Sequence, residues 1–229
     1  MKKVTVWGGG GFLGSHICDA LTLEGHRVTI VDIADSLWKK EGQSMIIADL
    51  MDYDEVVKTV ENADYVFNLA GIADIGESND DPFHSAKTNI LGNINLLKAC
   101  VKANVKRYIF ASSIYVYSNS GGFYRCSKQA CESYIDEYYK QYGQKYTILR
   151  FGSLYGLRSD ERNAIYRFIK QAINKKKISY FGSPDALREY IHAEDAARIC
   201  TKILDNKFIN QHLTITGHQR MRVGDLFKM

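Results

Sequence analysis

The run "WGGGGFLGSH" at residues 7–16 sets four consecutive glycines between a strand pattern, "KVTVW", and a helical one, "FLGSHICDALTLEG". Gly8, Gly11 and Gly14 fit GxxGxxG, while Gly9, Gly11 and Gly14 fit GxGxxG. Glycines so spaced allow a tight strand-to-helix turn, close approach of a pyrophosphate to backbone N–H groups, and close packing of helix on strand. The helix N-terminus then faces the phosphate with unpaired N–H groups and the positive end of its dipole. The spacing is weak alone, but here a strand precedes it, a helix follows, and Asp32 ends the next strand, "RVTIVD", 18 residues past Gly14. An acid there can accept hydrogen bonds from an adenosine ribose and repels a 2′-phosphate, which favours NAD over NADP.

Short β-rich runs alternate with helical patterns over the first 150 residues. After "RVTIVD" come "SMIIAD", a short helix "DYDEVVKTVEN", and the strand "DYVFNLAG". A long helix at 84–103 repeats Ile90, Ile94, Leu97 and Val101 at helical spacing, followed by the strand "KRYIFASS", a further helix and the strand "KYTILRFG". Such alternation implies parallel strands joined by right-handed crossovers, and continuously apolar strands imply helices on both faces. The expected fold is an α/β, Rossmann-type doubly wound parallel sheet, with residues 1–150 forming the NAD-binding domain. Residues 151–229 are expected to form a smaller, partial substrate-binding lobe interleaved with the sheet edge. Its pieces read as a helix "NAIYRFIKQAIN", a short strand "KISYFG", an extended "REYIH", a helix "AEDAARICTKILDN", a strand "HLTIT" and a terminal helical turn.

Thirty Lys+Arg against 26 Asp+Glu leave a net charge of +4, too little to argue for nucleic acid. The run Lys175–Lys177 reads as cations at a helix C-terminus. No stretch approaches the length of a membrane span, and no apolar signal core follows the first lysines. Five scattered cysteines without a CxxC pair suggest reduced thiols and a cytoplasmic protein. The six histidines show no metal-ligand spacing, so no metal is expected.

"GGFYRCSKQACESY" at 121–134 offers either a thiol or a phenol for chemistry. Tyr124 and Lys128, four apart, share one helix face. A free tyrosine is a poor base at neutral pH, but a nearby ammonium and a positive nicotinamide ring would lower its pKa. The pair could then pass a proton to or from a substrate hydroxyl while hydride passes to or from the cofactor. Ser113, ending the fifth strand, should lie beside them and hold the reacting oxygen. Cys131 falls on an apolar stripe with Ile135, Tyr138 and Tyr142, and Cys126 points elsewhere on the helix, so the phenol is preferred.

These pieces resemble the extended short-chain dehydrogenase/reductases of the NAD-dependent epimerase/dehydratase family, which modify nucleotide sugars. The resemblance runs in order through "GGGGFLGSH", "VD" at 31–32, "ADL" at 48–50, "NLAG" at 68–71, "TNILGNINLLKAC", "FASSIYVY", YxxxK at 124–128, "LRFGSLYG" and "REYIHAEDAA". It implies Ser113, Tyr124 and Lys128 as catalytic residues. It implies cofactor contacts from Gly8, Gly11, Phe12, Leu13, Gly14, Asp32, Asp49, Leu50, Leu69, Ala70, Asn89, Tyr124 and Lys128. Asp49 serves either the adenine pocket or a helix cap. For substrate it implies Ser113, Tyr124, Ser153 and Arg188, the arginine reaching a phosphate or else forming a surface ion pair. It also implies a homodimer through the helix at 84–103 and the Tyr/Lys helix, with Tyr134, Tyr138 and Tyr139 at the contact.

Trp7 replaces a threonine common in the family, and Ser153 replaces an asparagine that contacts pyrophosphate. The loop from Ser113 to Tyr124 is short, and the substrate lobe is expected to be short as well. Family dehydratases carry an Asp-Glu pair just after the serine or threonine; here "IYVYS" follows Ser113, without a carboxylate. The expected function is an NAD-dependent, 4-epimerase-like nucleotide-sugar epimerase. A nucleotide-sugar dehydrogenase/reductase and a non-catalytic NAD-binding sensor are the alternatives.

Overall fold

A computed structural model describes residues 1–229. Seven parallel strands form the main sheet in the order β3-β2-β1-β4-β5-β6-β9. They are β1 (Lys3–Trp7), β2 (Arg27–Asp32), β3 (Gln43–Ile47), β4 (Tyr65–Asn68), β5 (Arg107–Ser113), β6 (Tyr146–Phe151) and β9 (Gln211–Ile215). A three-stranded sheet joins β7 (Ser153–Tyr155) and β10 (Arg220–Arg222) to either side of β8 (Leu187–His192). The helices are α1 (Phe12–Leu23), α2 (Tyr53–Val60), α3 (Ile75–Asp80), α4 (Pro82–Ala86), α5 (Gly92–Lys102), α6 (Gly122–Tyr142), α7 (Ala164–Lys175), α8 (Ala193–Lys202) and α9 (Val223–Lys228).

Both faces of the sheet are buried along its central strands, as parallel strands require, while the edge strand β3 stays largely exposed. On one, Ile17, Cys18 and Leu21 of α1 meet Ala197 and Cys200 of α8 beneath Val4, Val6 and Ile30. On the other, Val56 and Val60 of α2, Leu96 and Leu97 of α5, and Cys131 and Ile135 of α6 cover Val31, Val66 and Ile148. The chain winds outward from β1 to β3, then restarts at β4 and winds the other way. The C-terminal ends of β1 and β4 therefore border the crevice where such sheets bind ligands.

Residues past 151 contribute to both layers: β9 extends the main sheet beside β6, and α8 packs on α1. Two local features differ from the periodicity. The segment "KISYFG" is not a strand, because no neighbouring strand pairs with it; Tyr180 instead packs edge-on against Phe168 and Phe227. The helix expected at 84–103 is broken into α4, a wide π-type turn over Lys87–Leu91, and α5. Trp7 leaves the glycine turn undisturbed, since its indole is buried on the α2 side and Nε1 donates to Thr59 Oγ1 at 3.1 Å.

Candidate active site

The glycine turn is shaped by what it excludes. Gly8 has φ +72°, and a Cβ there would lie 2.6 Å from Ala70 N, so β1 and β4 approach through it. At Gly14 a Cβ would lie 2.0 Å from the Gly8 carbonyl oxygen, so α1 sits directly against the turn. The start of α1 has no side-chain cap and no acid in its first turn. Its orphan N–H groups thus remain for an anion. Asp32 Oδ2 accepts from Gly10 N at 3.0 Å, which holds the carboxylate at the lip of the turn.

A cleft of about 850 Å3 starts at this turn, within the range of small-molecule sites. At the dinucleotide end its wall contains Gly8, Gly11 and Gly14 with Phe12 and Leu13 of α1. Asp32, the Asp49–Leu50 pair after β3, and the Leu69–Ala70 pair after β4 complete that end. Asp49 is not a helix cap: α2 is capped by Asp52, and Asp49 Oδ1 accepts from Met51 N at 2.9 Å. Clefts, uncapped helix donors and a strand-end acid are together what a dinucleotide needs, so these residues fit NAD.

Ser113, Tyr124 and Lys128 line the same cleft, and all three are buried. Lys128 Nζ donates to the Ala111 carbonyl at 2.8 Å and lies 4.7 Å from the Phe110 ring centroid and 5.8 Å from that of Tyr124. Burial pulls its pKa below the ordinary lysine value, against the pull of Cys131 and Glu132. Burial pushes the Tyr124 phenol up to about 12, while the Ser113 hydroxyl draws it down and Tyr115 opposes. Among the protein groups desolvation of the phenolate outweighs every partner, and the lowering expected from Lys128 together with a nicotinamide ring requires the cofactor beside the phenol. The phenol is a proton holder until further positive charge reaches it.

Three residues singled out from the sequence stand away from the cleft wall. Asn89 sits in the π-type turn, where Oδ1 accepts from Ile72 N at 2.7 Å and Nδ2 donates to Ile72 O and Ser127 Oγ, both at 3.0 Å. It braces the loop after β4 against α6, and the wide turn is what lets its side chain point inward. Ser153 lies on β7 between two lining residues, Gly152 and Leu154. Arg188 donates to its neighbour's carbonyl, Leu187 O, at 3.0 Å on β8. Conversely, Arg162, Asp160 and Asn163 ahead of α7, and Asp74 and Glu77 at α3, line the cleft without having been singled out. The charged "DER" at 160–162, just before an Asn that caps α7, was the available signal.

A cleft built to hold a dinucleotide beside a buried tyrosine and lysine belongs to a nicotinamide-dependent enzyme. The family model "NAD dependent epimerase/dehydratase family" matches residues 4–215. A putative UDP-glucose 4-epimerase of Methanocaldococcus jannaschii is 28% identical, the match covering 98% of this chain and 80% of the relative. Among solved structures, a Thermotoga maritima UDP-glucose 4-epimerase with UDP-glucose is 28% identical with TM-score 0.89, covering 99% of this chain and 80% of that one. A Bacillus cereus UDP-glucuronic acid 4-epimerase, in complex with UDP-glucuronic acid and NAD, is 25% identical with TM-score 0.90, covering 99% and 81%. The chain belongs to the NAD-dependent epimerase/dehydratase family and is an NAD-dependent enzyme of the extended short-chain dehydrogenase/reductase type.

Proposed function

We propose that the protein is a nucleotide-sugar epimerase, 4-epimerase-like, that keeps its NAD through the cycle. The observation that carries this is the buried Ser113–Tyr124–Lys128 set at one end of a dinucleotide cleft, followed at Ile114–Tyr117 by a turn without a carboxyl group. A 4,6-dehydratase needs an acid there to eliminate water; an epimerase does not. The 4-epimerases among the similar proteins support the same choice.

When bound, NAD⁺ would supply a hydride-accepting ring carbon and a positive charge beside the phenol in addition to that of Lys128. Tyr124 takes the proton from the sugar hydroxyl and later returns it. Ser113 donates a hydrogen bond to the reacting oxygen, and Lys128 orients the nicotinamide ribose. Phe12, Leu13 and the glycines would hold the pyrophosphate, Asp32 the adenosine ribose, Asp49 and Leu50 the adenine side, and Leu69 and Ala70 the middle of the cofactor. Asn89 acts by holding the 71–73 loop and Ser127 in place.

Adding candidate sugar nucleotides to the NAD-loaded enzyme tests the reading. Interconversion of two epimers without net NADH is expected. Release of NADH and a ketosugar would instead establish a dehydrogenase, and no reaction with any sugar nucleotide would revive the binding-only reading. Asp32→Asn is expected to weaken NAD binding about tenfold, the cost of one charge-assisted hydrogen bond, and to narrow the preference over NADP. Equal NAD and NADP affinity in the unaltered protein would remove Asp32 from this role.

For the substrate diphosphate, Arg162 is the better placed arginine, since it lines the cleft and Arg188 does not. Its guanidinium is held by Asp160 through Nε and Nη2, and a diphosphate would compete for it. Arg162→Ala should raise KM for the sugar nucleotide roughly tenfold with kcat little changed, whereas Arg188→Ala should move neither. The reverse pattern, seen in steady-state kinetics, would return the role to Arg188.

A homodimer through the 84–103 segment and α6 fits the exposure of Leu91, Tyr134 and Tyr139, while Tyr138 packs on the core. No helix is long and apolar enough to cross a membrane. All five cysteines are free, four of them buried, which suits a reducing, cytoplasmic setting.

A further inference from the structure

Helix α6 carries Tyr124, Lys128 and Glu132 at four-residue intervals, on one face. The first two line the cleft, but Glu132 is buried outside it. Its partner is Arg150 of β6, whose Nε donates to Oε1 at 3.0 Å and whose Nη2 donates to Oε2 at 2.6 Å. That fork-to-carboxylate pairing fixes direction as well as distance. Glu132 Oε1 also accepts from Ser112 Oγ at 2.5 Å, one residue before Ser113. Arg150 Nη1 donates to the Tyr117 hydroxyl, and the guanidinium carbon lies 4.6 Å from the Tyr117 ring centroid. On the far side Arg150 Nη2 meets His212 Nδ1 at 2.9 Å. That nitrogen must accept, so Nε2 carries the proton, 3.2 Å from Asp136 Oδ1.

The cluster thus ties five pieces together: the end of β5, the turn Ile114–Tyr117, α6, β6 and the edge strand β9. Stability does not explain it, because a buried ion pair is about even with an apolar pair of similar volume. What an apolar pair would lack is a fixed orientation between α6 and the strand end. Tyr124 and Lys128 ride on the first; Ser113 and Tyr115 ride on the second. Ser113 Oγ accepts from Tyr115 N at 3.3 Å, and the Tyr115 ring stands edge-on to Tyr124, centroids 6.4 Å apart.

We propose that Glu132 and Arg150 are positioning residues for the acid–base site: their pairing holds the 113–117 segment in register with Tyr124 and Lys128. This rests on the epimerase reading for its catalytic consequence, though not for the geometry. A misplacement of about 1 Å at the reacting atoms costs roughly 100-fold in rate.

The double variant Glu132→Leu/Arg150→Met removes both charges and keeps apolar volume. It should melt within a few degrees of the unaltered protein and bind NAD as well. Amide hydrogen exchange over 113–117 should accelerate at least about tenfold, and kcat should fall about 100-fold with KM little changed. Arg150→Lys, which keeps the charge and loses the fork, should show the same two effects at smaller size, and decides the matter if the double variant fails to fold. Unchanged exchange over 113–117 overturns the proposal, and so does faster exchange with unchanged kcat. If the unaltered enzyme turns over no sugar nucleotide, the epimerase reading fails, while the exchange measurement still decides whether the pair holds the segment.

Discussion

Tyr124→Phe is expected to lower turnover on the order of 1,000-fold while leaving NAD affinity and melting temperature close to those of the unaltered enzyme. The substitution removes one hydroxyl from a buried ring and leaves its packing against Tyr115 intact. The sign of the pH dependence follows from the same group. A base must be deprotonated, and the protein groups hold this phenol up to about 12. A positive nicotinamide ring beside the phenol would lower that value, so the rate of NAD reduction in a single turnover should climb as pH rises toward the phenol's pKa. Tyr124→Phe should abolish that rise. A full-strength, equally pH-dependent rate in the phenylalanine variant would assign the proton to another group.

Gly14→Ala should do comparable damage at the other end of the cleft. Its added Cβ would overlap the Gly8 carbonyl oxygen, at 2.0 Å, and that atom belongs to backbone. No rotamer change relieves the overlap; either α1 moves off the turn or the turn opens. Moving α1 is resisted because Ile17, Cys18 and Leu21 are locked in the core. The expected results are at least a 100-fold loss of NAD affinity and a destabilisation of ~1–3 kcal/mol, typical of forced overpacking. Isothermal titration with NAD and a thermal melt measure both. Retained affinity would mean that the turn is not where the pyrophosphate lies.

Much of this was legible in the residues. The glycine turn, the strand-end acid and the apolar strands each report a local requirement of backbone or burial, and all three fall where the periodicity puts them. Ser113, Tyr124 and Lys128 converge because a parallel sheet delivers the ends of its strands to one edge. What escaped has a nonlocal cause. The π-type turn at Lys87–Leu91 accompanies a contact between Asn89 and the backbone of Ile72, 17 residues away. The aromatics of "KISYFG" resemble a strand, yet Tyr180 is used by α7 and α9. Arg162 shows no periodicity that separates it from a surface cation; only the folding of the 157–163 loop over the cleft does. Glu132 and Arg150, 18 residues apart, look like ordinary charges until β5, β6 and α6 are packed. Burial also sets the Tyr124 pKa high among the protein groups alone, which spacing could not reveal, since it reports a neighbour's charge but not how much water is excluded.

An epimerase that keeps its NAD must return to each sugar the hydride it took from it. A UDP-hexose carrying deuterium at C4, turned over to its epimer and followed by mass spectrometry and NMR, should keep the label at C4 of the product. Label found in solvent or in free NADH would contradict an enzyme that removes and restores hydride within one closed cleft.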